Sequence, residues 1–168
     1  MTEVDIIISG GLVLTMDENE TVIENGAVAI EGENIIAVGK SEEIDANYIA
    51  KEIINAKHHI IMPGLINCHT HAAMTCFRGI ADDIELMDWL NNYIFPAEAK
   101  NVNKELAIWG SLPSCAELIK SVTTTFSDMY ISEDAKAKHA KEADMRCLLS
   151  NGLFASHAVT INKPTQGL

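Results

Sequence analysis

The chain has 168 residues, and its 12 Lys plus Arg stand against 24 Asp plus Glu, a formal net charge of −12. That excess of acid excludes a nucleic-acid or anionic-membrane surface, which needs clustered Lys and Arg. An apolar content of 48 % excludes a disordered chain. Residues 4–8 and 12–16 are apolar runs parted by Ser9-Gly10-Gly11, and each reads as a short strand. Further runs at 21–23, 27–30 and 35–38 are punctuated by Gly26, Gly32 and Asn34, and 53–54 and 60–62 can add strands. Short strands broken by Gly and Asn predict a small antiparallel sheet or sandwich.

Residues 1–60 hold 12 acids and 3 bases, whereas residues 61–168 hold 12 acids and 9 bases. The rhythm changes at the same place, so a domain boundary is expected near residue 60. Residues 64–69 read as a buried strand. Residues 82–94 read as a helix capped by Asp82 with Glu85 as its partner. Met87, Leu90 and Ile94 lie on one face of it, and Pro96 ends it. A second helix is expected from the cap Asn103 to about Ser121, with Pro113 predicting a kink or a break. Residues 122–129 read as a strand, 132–144 as a helix and 146–150 as a strand. This alternation predicts parallel βα units. Residues 161–168 show no pattern.

No apolar run reaches the ~20 residues that span a bilayer. Residues 1–8 carry Glu3 and Asp5 and no basic stretch, so no secretory signal is expected. Cys68, Cys76, Cys115 and Cys147 form no C-x-x-C pair. They are expected as reduced thiols in a cytoplasmic protein.

The chemistry concentrates at His69-Thr70-His71, at the end of an apolar strand. Residues two apart on a strand share a face, and two such imidazoles can bind one divalent metal. By itself H-x-H also fits a structural pair. The rigid Pro63-Gly64 turn, the strand before the histidines and the β-rich segment before that favour metal ligation.

Here the sequence resembles the amidohydrolase superfamily, and within it the deaminases of 5′-methylthioadenosine and S-adenosylhomocysteine. The resemblance rests on Pro63-Gly64-Leu65-Ile66-Asn67-Cys68-His69-Thr70-His71-Ala72-Ala73-Met74-Thr75 and on Arg78-Gly79-Ile80-Ala81-Asp82-Asp83. It continues in Leu86, Trp89-Leu90, Pro96-Ala97-Glu98 and Thr123-Thr124-Thr125-Phe126-Ser127-Asp128-Met129-Tyr130. It implies an α/β fold in which residues 1–60 form the N-terminal part of a composite β-sandwich. Residues 61–168 would be the first three βα units of a (β/α)₈ TIM barrel, truncated.

The resemblance also implies a metal-dependent hydrolytic deaminase, with one divalent metal per active site and Zn²⁺ the expected ion. His69 and His71 would be metal ligands. Trp89 would line the nucleoside pocket, and Glu98 would bind the ribose hydroxyls. Taken without the resemblance, Trp89 reads as a packed core residue and Glu98 as a solvated acid. Metal-bound hydroxide would attack C6 of the adenine ring and release ammonia.

The catalytic acid/base Glu and the remaining metal ligands are expected beyond residue 168, so the chain alone is expected to be inactive. His58, His59, His139 and His157 are poor substitutes, and Asp128 reads as a structural hydrogen-bonding residue. Asn151 stands where many relatives have an Arg before Gly152-Leu153, and Val122 stands where Gly is common. The expected partners are a nucleoside substrate and the remainder of the barrel, with a homo-oligomer left open and no nucleic acid or membrane. Two alternatives stay open: an amidohydrolase of another ring (guanine, cytosine or a chlorotriazine), or a non-catalytic partner chain of a split barrel.

Overall fold

A computed structural model of the chain describes residues 1–151, in two compact units, Met1–Pro63 and a second that begins at Gly64. His157, Gly152, Leu153 and residues 161–168 lie outside the described residues.

The first unit is built on one mixed sheet. Its strands are β1 (Thr2–Leu14), β2 (Val22–Glu31), β3 (Asn34–Lys40), β4 (Tyr48–Asn55) and β5 (Ile60–Ile61). The order is β3-β2-β1-β4, with β5 also pairing β1. β1, β2 and β3 pair antiparallel, but β4 and β5 run parallel to β1. This corrects the all-antiparallel expectation. The reason is a short helix, α1 (Ser41–Asn47), which carries the chain from β3 over to the far side of β1. Ile44 of that helix joins Val4, Ile7, Ala27 and Ala29 in the core. The runs expected as separate strands at 4–8 and 12–16 form one strand, because Gly10 absorbs the irregularity at φ 87°.

The second unit is a parallel sheet of β6 (Leu65–Thr70), β7 (Thr123–Tyr130) and β8 (Arg146–Asn151), in that order. The expected parallel βα rhythm is present. The strand expected to be buried is instead an edge, and Leu65 and Ile66 are 47 % and 68 % exposed. β7 lies in the middle and buries Phe126, Asp128 and Tyr130 at alternate positions. Phe126 packs with Cys115, Ala140 and Met145 in the core of this unit.

Between β6 and β7 the chain makes a 3₁₀ segment (Ala72–Phe77), then α2 (Leu86–Trp89), a π turn (Leu90–Ile94), α3 (Phe95–Asn101) and α4 (Lys104–Lys120). The expected Asp82 cap is corrected. Glu85 is the N-cap, and its carboxylate accepts the N–H groups of Met87 and Asp88. Pro96 does not end the helix. It sits in the first turn of α3, where a missing N–H costs little, and the π turn just before it widens the path. Asn103 caps α4 as expected, accepting the Leu106 N–H at 2.9 Å. α4 is one helix through Pro113, not two. Pro113 and Trp109 are both exposed, so water can take the Trp109 carbonyl that the proline leaves free.

α4 closes with Val122 at φ 56°, a left-handed conformation that a β-branched residue adopts only under strain. Val122 is 66 % exposed, so its side chain contributes little burial to offset this. Val122→Gly is expected to stabilise the protein by about 1 kcal/mol. A thermal melt checks it; an unchanged or lower midpoint would contradict the strain argument. α5 (Glu133–Glu142) then connects β7 to β8. Among the described residues no helix is long and apolar enough to cross a membrane.

Candidate functional site

β6 delivers His69 and His71 to one side of its C-terminal end. Their ring centroids are 5.1 Å apart, with the planes at 77°. Two imidazoles on one tetrahedral ion, each at ~2.0–2.1 Å, would place their centroids about 5.2 Å apart. The separation of the two rings is therefore compatible with a shared cation. His71 Nδ1 lies 2.6 Å from the carbonyl oxygen of Met129. A carbonyl only accepts, so Nδ1 is the donor in this contact, which in a neutral ring leaves the Nε2 lone pair available to a metal. Ligating histidines are commonly oriented in this way by a second hydrogen bond. Among the described residues no third His, Cys, Asp or Glu joins them as a metal cluster.

The end of β7 supports this corner twice. Met129 holds the His71 ring, and Asp128 Oδ1 accepts the Ala72 N–H at 3.0 Å, one residue past His71. Asp128 is 1 % exposed, and its other oxygen pairs with Lys136 at 2.7 Å. Lys136, on α5, also pairs with Glu133, and its ammonium lies 5.3 Å from the centre of the Tyr130 ring. Burial raises the Glu133 carboxyl above its ordinary range, with Lys136 opposing. Asp128 is thus engaged by the Ala72 N–H and by Lys136.

Glu98 is not a solvated acid. It is 5 % exposed on α3, and it accepts the Tyr130 hydroxyl at 2.5 Å. Burial and this carboxylate hold the Tyr130 hydroxyl well above its ordinary pKa. Tyr130 stands 6.1 Å from His71, centroid to centroid. Glu98, Tyr130 and the histidine pair therefore share one corner. Trp89 is half-buried and donates its indole N–H to the Ile80 carbonyl at 3.0 Å. It lines a cavity of about 270 Å³ with Met74, Phe77, Arg78 and Ile94. Glu98 and the histidines are not on that lining.

Gly110 allows α4 to press on the segment after His71. A Cβ there would sit 2.5 Å from the Ala73 carbonyl oxygen and 2.9 Å from its Cα. Asn151 accepts the Glu133 N–H at 3.2 Å, so it secures the start of α5. Of the other histidines, His139 bonds Glu142 and His59 bonds the Lys57 carbonyl. Sequence reasoning missed Lys136, Tyr130 and Glu133. The available signal was that Glu133, Lys136 and Ala140 fall on one stripe of α5, at spacings of three and four.

The amidohydrolase family profile matches residues 60–166. A 5-methylthioadenosine/S-adenosylhomocysteine deaminase 1 of Syntrophus aciditrophicus is 57 % identical over the whole chain, which spans 38 % of that protein. A 5′-deoxyadenosine deaminase of Methanosarcina barkeri is 46 % identical over 89 % of this chain and 34 % of its own. The crystal structure of an adenosine deaminase from Xanthomonas campestris with bound zinc superposes with a TM-score of 0.84. It is 32 % identical over 88 % of this chain and 34 % of its own. The chain thus spans little more than a third of the proteins it resembles.

Proposed function

The chain belongs to the amidohydrolase family, and from that premise we propose that it forms the N-terminal part of a zinc-dependent deaminase of adenosine-type nucleosides. The first unit is then part of a composite β-sandwich, and the second is the opening of a (β/α)₈ barrel. The exposed Ile66 and Leu148, 68 % and 71 % accessible, support this, since further βα units would cover such faces. The observation that supports the reading is the imidazole pair, with His71 Nδ1 donating to the Met129 carbonyl beside His69.

His69 and His71 would hold the cation. A divalent ion held there supplies a water acidic enough to serve hydrolysis at neutral pH. The Met129 carbonyl takes the His71 Nδ1–H, which would leave Nε2 to hold the ion, and the Asp128–Ala72 bond fixes the backbone beside it. Glu98 would accept hydrogen bonds from the ribose diol. One of its oxygens is steadied by Tyr130, and the other is the one offered to substrate. Trp89 would pack one wall of the nucleoside pocket.

The test is turnover by the full-length enzyme, continued past Leu168, of 5′-methylthioadenosine, S-adenosylhomocysteine, guanine and cytosine. The expected result is ammonia release from the two adenosine derivatives, abolished by chelation and restored by zinc. Deamination of guanine or cytosine alone would overturn the substrate class. Residues 1–168 alone, with two of the required ligands, are expected to show no turnover.

A further inference from the structure

We propose that Lys136 is a positioning residue for His71, acting through Asp128 from the helix layer behind the sheet. The inference rests on the metal reading above and adds a part to it. Lys136 is 3 % exposed, an unusual place for an ammonium unless it is paired. Its 2.7 Å bond takes Asp128 Oδ2, which turns Oδ1 onto the Ala72 N–H. Ala72 follows His71, and Met129, which binds the His71 ring, follows Asp128. The imidazole and the peptide after it are therefore both anchored to two adjacent residues of β7. Lys136 determines which way the first of those two points.

A buried Lys with two acids is costly to assemble. One carboxylate would balance the Lys136 charge, yet both Glu133 and Asp128 stand against it. Asp128 is the partner that touches the histidine segment. The same ammonium lies over Tyr130, whose hydroxyl holds Glu98. One cation thus reaches toward both the metal corner and the proposed ribose acid.

The experiment measures zinc affinity of the full-length enzyme by chelator competition, which does not depend on turnover. Lys136→Met is expected to raise the zinc dissociation constant roughly 10-fold, the low end of the range for groups that touch a metal ligand directly, because Lys136 acts through Asp128. Glu133→Gln leaves the Lys136–Asp128 pair intact and is expected to keep it within threefold, whatever its effect on the melting temperature. Should Lys136→Met fail to fold, Asp128→Asn removes the same charged contact at nearly constant shape and is expected to give the same loss. A folded Lys136→Met or Asp128→Asn protein binding zinc within threefold of the parent would overturn the proposal alone. A parent enzyme with no zinc affinity would overturn the metal reading and the proposal with it.

Discussion

His71→Ala in the full-length enzyme is expected to lose zinc and turnover together. The substitution removes one of two imidazoles that stand 5.1 Å apart in a geometry suited to one ion. Outer-shell changes alone weaken metal binding 10–100-fold, so loss of a ligand should raise the dissociation constant by more than about 100-fold. The fold should survive. His71 is half-buried, and its Met129 bond is worth only about 1 kcal/mol. Metal analysis of the purified variant, set beside its melting curve, separates the two effects. A variant that keeps a full equivalent of zinc would remove His71 from the ligand set.

Glu98→Gln is expected to raise KM for 5′-methylthioadenosine by roughly 10-fold or more, with kcat changed much less. Hydrogen bonds to a charged group contribute about 1.5–3 kcal/mol, roughly a factor of 10 to 150. The ribose takes no part in the bond changes, so its anchor serves ground and transition states alike and shows in KM. Gln keeps the shape and can still accept the Tyr130 hydroxyl. The substitution therefore tests the charge rather than the packing. Steady-state kinetics across a range of substrate concentrations checks it. An unchanged KM would assign Glu98 to the Tyr130 contact alone.

The features legible in the sequence were those written in local periodicity. His69 and His71 share a face because a strand alternates, and Thr123-Thr124-Thr125-Phe126 reads as a strand because it is β-branched and aromatic. Asn103 announced its helix by residue type. Other features depend on contacts distant in the chain. Lys136 sits on a helix rich in charge and reads as solvated, until the sheet brings Asp128 against it. Glu98 reads as solvated until Tyr130, 32 residues later, returns beside it. α1 escaped because seven residues with one buried apolar side chain, Ile44, leave no pattern to detect. Pro96 read as a stop because the π turn that accommodates it carries no sequence signature.

In the proposed enzyme the two imidazoles flanking Thr70 bind one metal ion together. Crystals of the full-length enzyme, measured on either side of the zinc absorption edge, test it most directly. A single anomalous peak is expected within ~2.0–2.1 Å of His71 Nε2 and of a ring nitrogen of His69. A peak held by other residues, with the Nδ1 of His71 still bonded to Met129, would contradict it.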